Sequence, residues 1–427
     1  ATGGSLGTSY GASWAVGDVI GIAYDSDNGS ITFYKNGVSQ GQLATGITNT
    51  VCFFVAGFSN CVAVLNFGQM RFKYPIPTGF SSLNTTALPA ATIANGSEYF
   101  DTKLYTGNSG TNTITGLEFS PDWTWIKKRN STSYHSIHDT VRGATKRLRS
   151  EGNAAETTET TALTAFTSDG FTLGSGGTAN GNNDSFASWN WDAGSSTVSN
   201  TDGSITSSVR ANQTAGFSIV GWDYDGTTGQ YTVGHGLNTA PSAIIVRPRE
   251  ITSNWGFYHS ALGNTTGVNF NQNAATNTNT GYWNNTSPTN SVFTLSTFFD
   301  DDSTYIAYCF APVAGFSAFS SFEANGAVDG PFVYTGFRPA LIIYKNITDT
   351  ENWLMIDSTR DPYNPLDTHL HPNLPNGDSD ASPPWADFLS NGFKLRNLYN
   401  ETNGSGDTIL YMAWAENPFQ ANGGLAR

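Results

Sequence analysis

The sequence predicts an all-β fold of antiparallel sandwiches, and three observations lead to it. Only 13% of the 427 residues are charged, about half the ~25% of ordinary globular domains. Asn, Thr, Ser and Gly carry the polar load instead. Thr favours strands, the other three favour turns, and little is left to solvate the outside of helices. Second, short β-branched and aromatic runs alternate with turn signals about every ten residues. Third, aromatic residues make up 13% of the chain, which supplies folded cores and argues against disorder. One stretch, Asp139 to Glu151, reads as helical, with Arg142, Lys146, Arg147 and Arg149 on a solvated or intersubunit face.

The length suits two to four domains. Twenty basic and 34 acidic residues leave a formal charge of −14, the wrong sign for a nucleic-acid binder, so no nucleic-acid partner is expected. No apolar run reaches about 18 residues, so no membrane insertion is expected. Three cysteines, Cys52, Cys61 and Cys309, are too few for a disulfide framework and form no zinc-type pair. They read as reduced, buried thiols, with Cys52 facing Cys61 across a hairpin as the alternative. The chain opens Ala1-Thr2-Gly3-Gly4 without initiator Met or signal peptide, and so reads as the C-terminal part of something longer.

Residues 1–80 read as short strands and tight turns. Val19 to Tyr24 and Ile31 to Tyr34 flank the turn Asp25-Ser26-Asp27-Asn28-Gly29, and Asn36-Gly37 supplies the positive φ angles of a type I′ reversal. Val51 to Phe58 and Val62 to Phe67 suit buried strands. Gly17-Asp18-Val19-Ile20-Gly21, Ser30-Ile31-Thr32-Phe33-Tyr34-Lys35-Asn36-Gly37 and Leu65-Asn66-Phe67-Gly68-Gln69 resemble, in order and spacing, the later half of a SPRY domain. That resemblance implies a sandwich whose earlier strands are missing and whose edges need cover. Pro75, Pro77 and Pro89 lie in a Thr-rich stretch that reads as a linker, placed at 81–94.

Beyond it four landmarks recur three times in order, the signature of internal repeats. Gly116-Leu117…Pro121, Gly236-Leu237…Pro241 and Gly336-Phe337-Arg338-Pro339 lead into β-branched or aromatic strands. Tyr134, Trp255 and Trp353 open the next strand. Gly170-Phe171, Val292-Phe293 and Gly392-Phe393 sit beside turns. The closing strands are Phe186-Ala187-Ser188-Trp189, Tyr305-Ile306-Ala307-Tyr308 and Tyr411-Met412-Ala413-Trp414. The predicted domains are therefore three antiparallel β-sandwich repeats at 95–200, 210–323 and 324–427, each ~100 residues as in known sandwiches. In this alignment Glu416 stands where Trp191 and Phe310 stand earlier, and Asp361 to Trp385 is an insert peculiar to the third copy.

Phe100-Asp101-Thr102, Trp123-Thr124-Trp125-Ile126-Lys127, Asp139-Thr140-Val141-Arg142-Gly143-Ala144, Ala215-Gly216-Phe217-Ser218-Ile219-Val220 and Val233-Gly234-His235-Gly236-Leu237 resemble a repeat of bacteriophage tail-fibre-like proteins, many from marine cyanobacterial hosts. The resemblance covers about 90–427. It implies an extracellular virion protein of the tail, an oligomer with a homotrimer favoured, other virion tail proteins as neighbours, and a bacterial surface glycan or receptor as ligand. It implies no catalytic residue and no cofactor, and the chain is read as no enzyme. The alternative reading is a secreted or virion-borne polysaccharide-degrading enzyme.

The residues themselves offer little chemistry. Asp300-Asp301-Asp302 and Asp223 with Asp225 could furnish a carboxylate pair, but no strand shows periodic inward acids. Gly7-Thr8-Ser9-Tyr10-Gly11 lacks the strand and helix that a nucleophile elbow needs, and Asp25-x-Asp27-x-Gly29 reads as a turn rather than a calcium loop. His369 and His371, two apart, share one strand face and are the candidate metal ligands, six imidazoles about an axis in a trimer. Tyr363 and Trp385 in the loop 361–385, and Tyr282 and Trp283 in 279–290, are the candidate ligand-binding aromatics. Replacing Trp283 or Trp385 by Ala is expected to weaken adsorption to host cells and leave the melting temperature unchanged.

Overall fold

The computed structural model describes residues 10–47, 62–83, 91–227 and 229–418. The chain is all-β: its described α-helices are the single turns Gly177–Asn180 and Asn400–Asn403. Two compact units meet in sequence at residues 89 and 90.

The first unit holds a three-stranded antiparallel meander, Ile20–Asp25, Ser30–Lys35 and Val38–Ala44. Asp25 accepts from the backbone of Asp27 and Asn28, so the Asp-rich segment closes a turn. Asn36 and Gly37 take φ of 49° and 80°, the left-handed pair of a type I′ turn. The predicted strand Val62 to Phe67 does not form. Val62 is 89% exposed and Val64 80%, because this run finds no ladder partner among the described residues. Val51 to Phe58, Cys52 and Cys61 lie outside the described residues.

In the second unit each third contributes four antiparallel strands ordered first–fourth–second–third across the sheet. These are Phe100–Thr106, Trp123–Lys128, Ser136–Asp139 and Ser185–Trp191; then Phe217–Tyr224, Ala243–Pro248, Gly256–His259 and Ser303–Phe310; then Ser317–Glu323, Phe337–Asn346, Leu354–Asp357 and Thr408–Pro418. A small sheet covers one face of each, Asn112–Ile114 with Gly170–Leu173 and Leu163–Thr167 being the first. The other face looks inward. Burial on both faces explains why the second strands read as nearly continuous apolar runs: Trp123 to Lys127 and Ala243 to Pro248 are buried without a break.

The inner faces meet in one aromatic core, so the described residues of 95–200, 210–323 and 324–418 belong to one compact unit. Trp123 stacks on Tyr308 of the second third at 4.5 Å and tilts on Trp191 at 4.3 Å. Trp414 of the third third touches Trp191 at 5.4 Å and Phe310 at 5.5 Å. The ladders place these three together: Trp191, Phe310 and Trp414 pair with Trp123, Ala243 and Leu341. Glu416 therefore does not replace Trp191 and Phe310. The predicted alignment slips by two residues on the last strand, which preserves the side-chain face and leaves the alternating pattern intact.

The predicted helix Asp139 to Glu151 is absent. Asp139 ends a strand, Gly143 turns at φ 100°, and Lys146–Arg147 form a short strand. Arg142 folds back: its backbone N–H and Nε both donate to the Asp139 carboxylate, and both side chains are fully buried. Asp357 and Arg360 repeat this turn in the third third. Arg147, expected on a surface, is 2% exposed.

All six histidines are held below the usual imidazole range, each chiefly by burial. His138 falls to about 3, and His259 and His369 to about 4. Between those values and 6.5 the unfolded chain binds more protons, so the stability they confer is complete above pH 6.5 and lost as pH falls toward 4. Asp122, pushed up to about 6 by burial, acts in the opposite sense over part of that range. Melting temperature is expected to fall from pH 6.5 to 4.5, and His259→Asn to flatten the slope; scanning calorimetry across this range checks both.

Candidate functional site

The candidate aromatics are mostly core. Trp283 is 1% exposed, edge-on to Tyr258 at 5.4 Å. Tyr282 is 2% exposed, stacks on Phe298 at 3.9 Å and donates to Asn269 Oδ1 at 2.9 Å. Together they plug the second third's own core. Trp385 is 4% exposed and lies between His369 and Tyr399. These three correct the expectation of free contact residues. Asn-rich flanks suggest an open loop, but each ring finds an apolar bed. Tyr363 alone projects, at 80% exposure.

His369 and His371 do come together, edge to face at 5.0 Å. They face protein rather than an open axis: His371 Nδ1 lies 2.8 Å from the Trp353 carbonyl, and His369 packs on Trp385. No third His, Cys, Asp or Glu joins them in a metal-holding group among the described residues.

The loop 361–385 docks on the first third. Pro375 O accepts from Ser133 N at 2.8 Å and from Lys127 Nζ at 3.0 Å, and Asp378 pairs with Arg129 at 2.6 Å. The same junction occurs three times. Lys127, Arg247 and Lys345 stand next to last in equivalent strands, are fully buried, and reach carbonyls of the preceding third: Pro375, Ala154 and Asn273. His135, Trp255 and Trp353 place ring nitrogens on His371 O, Arg149 O and Asn269 O. Side chains of Glu151, Asn271 and Asn373 accept their backbone N–H groups. The first third thus leans on the third, the second on the first and the third on the second, a closed ring. Part of the loop 361–385 therefore has counterparts in the earlier thirds. Burial lowers Lys127 and Lys345 to about 8 and Arg247 to about 10. The recurrent basic residue was visible in the sequence; its inward direction was not.

The junctions differ at one end. Between the first and second thirds, strand Ser207–Asn212 covers the gap: Arg210 pairs with Asp122 at 2.6 Å and Asn212 bonds Asp192 at 2.7 Å. Between the third and first thirds a cleft of about 260 Å³ remains. Ser97, Asp101, Thr102, Ser358, Thr359, Arg338 and Glu416 line it together with Phe100 and Pro362. Arg338 and Glu416 form an ion pair, the carboxylate being the more exposed partner. Arg338 Nε and Thr102 Oγ1 are buried without hydrogen-bond partners. The cleft can offer donors and acceptors to a polar guest.

Comparison with known proteins divides the chain the same way. The family described as a domain of unknown function, DUF7483, matches residues 95–418; the SPRY domain family matches residues 3–70. The E3 ubiquitin-protein ligase RKP of Arabidopsis thaliana is 42% identical over 81 residues, 17% of this chain, and the chain covers 6% of that protein's length. No solved structure matches.

Because Trp283 fills a core, Trp283→Ala is expected to cost about 3–5 kcal/mol. Lys127→Met orphans buried carbonyls and is expected to cost about 1–3 kcal/mol. Tyr363→Ala is expected to leave stability unchanged. Urea denaturation of the three variants checks the order.

Proposed function

The chain belongs to the family described as a domain of unknown function, DUF7483, and from that premise we propose that it is a structural and host-recognition protein of a bacteriophage tail fibre or tailspike. In this reading it sits on the virion outside the cell, assembles as a homotrimer with other tail proteins, and binds a bacterial surface glycan or receptor. The observation that carries the proposal is the third junction, where a polar cleft lies between the third and first thirds. The resemblance of its motifs to fibre repeats, an acidic and sparsely charged composition, and an all-β body support this reading. A glycan-degrading site needs two carboxylates roughly 5–10 Å apart and one free to protonate. In the cleft, Glu416 is paired with Arg338 and Asp101 with Lys103 at 2.7 Å, which favours binding over cleavage.

Purified chain is expected to adsorb to some strains of a bacterial panel that includes marine cyanobacteria, and to release no reducing ends from their envelope polysaccharide. Adsorption to none of them, or saccharide release, would overturn the proposal. Mass photometry at micromolar concentration is expected to give a trimer of the 45.6 kDa chain.

A further inference from the structure

The three thirds serve as an internal comparison for the cleft. Sheet ladders and the recurrent proline landmark set the equivalences: Thr102 corresponds to Ile219 and Phe319, since these pair with Trp189, Tyr308 and Met412. Arg338 precedes Pro339 as Ser120 precedes Pro121 and Ala240 precedes Pro241. Glu416, two residues past Trp414, corresponds to Ala193 and Pro312. Thr359 corresponds to Val141, which at the first junction packs against Gly221. Three of these positions around one cleft are thus polar in the third junction and apolar at the other two, and the fourth, Arg338, is matched by the small residues Ser120 and Ala240. Packing does not explain that. Strand closure needs none of these groups, and an unpartnered buried donor costs about 1–3 kcal/mol.

We propose that this cleft binds one neutral sugar residue. The inference rests on the recognition reading for its biological setting, and on the cleft alone for its chemistry. The volume of about 260 Å³ lies just under the ~300–1,000 Å³ of drug-sized ligand pockets, which suits one sugar unit rather than a long chain. The charges in the wall are already compensated, Arg338 by Glu416 and Asp101 by Lys103. An anion would gain no free cation, and a cation no free carboxylate. Hydroxyls suit the wall because each both donates and accepts. Glu416, the exposed member of its pair, accepts from one ligand hydroxyl while Arg338, 8% exposed with Nε unpartnered, donates to its neighbour. The hydroxyls of Thr102, Ser358 and Thr359 complete the set.

The full chain is titrated by calorimetry and saturation-transfer NMR with methyl glycosides of glucose, galactose, mannose, N-acetylglucosamine and N-acetylgalactosamine, alongside methyl glucuronide. At least one neutral glycoside is expected to saturate in the millimolar range or tighter, with the glucuronide weaker. Thr102→Val and Arg338→Gln are each expected to weaken that binding about tenfold, a single hydrogen bond's worth, with melting temperature retained. Failure of every neutral glycoside to saturate, preference for the glucuronide, or full binding by both variants would overturn the inference. Cell adsorption measured in parallel separates the two proposals. Adsorption without glycoside binding removes the sugar site and leaves host recognition; glycoside binding without adsorption does the reverse.

Discussion

The second unit depends on a buried cation next to the end of the same strand in each third, which reaches one carbonyl across a junction. Lys345 Nζ, for example, donates to Asn346, Glu351 and Asn273 carbonyls at 2.6, 2.9 and 3.3 Å. Burying a charge without an opposite charge is unfavourable unless its donors are filled, and Lys127 and Lys345 each fill theirs with two carbonyls of their own third and one of the neighbouring third. The cost is visible in the lowered affinity of both lysines for their protons. Each sheet therefore needs the loop of the one before it, and the aromatic core closes only when all three dock.

That dependence explains the composition of the interior. Inward faces carry Trp123, Trp125, Trp189, Trp191, Trp353 and Trp414, all at most 2% exposed, because three sheets converging on one centre leave space that only large side chains fill. The Asp–Arg turns at Asp139 and Asp357 tie that centre to the outside. Tyr308 donates to Asp139 at 2.8 Å and Trp189 to Asp357 at 3.2 Å, each across a junction. In the second third His259 and Leu262 stand at these positions, and His259 lies 3.4 Å from the Tyr411 carbonyl instead.

Much of this was legible in the sequence. Turn chemistry at Asn36-Gly37, the landmark prolines and the apolar second strands announced an antiparallel protein and its strand positions. The closing strand of the third copy was misaligned because Tyr411 and Phe186 look alike and a two-residue slip changes no face. Arg142 and Arg147 read as solvated because one-dimensional spacing cannot tell a surface cation from one folded over an Asp. The site was less legible. Aromatic residues among Asn and Pro suit either sugar stacking or a core plug, and Trp283, Tyr282 and Trp385 proved to be the latter. The cleft residues are too far apart in sequence, Thr102 and Arg338 on different thirds, to suggest one another.

A ring assembled from one chain also differs from a ring of three identical chains in what it allows to change. When separate copies form the ring, every substitution is copied to each interface at once, and dilution can dissolve the assembly. Here the partners are tethered, so they meet at the high effective concentration of an intramolecular contact, and each junction can drift alone. The junction between the third and first thirds shows that liberty: it carries a polar-walled cleft, whereas strand Ser207–Asn212 covers the gap between the first and second.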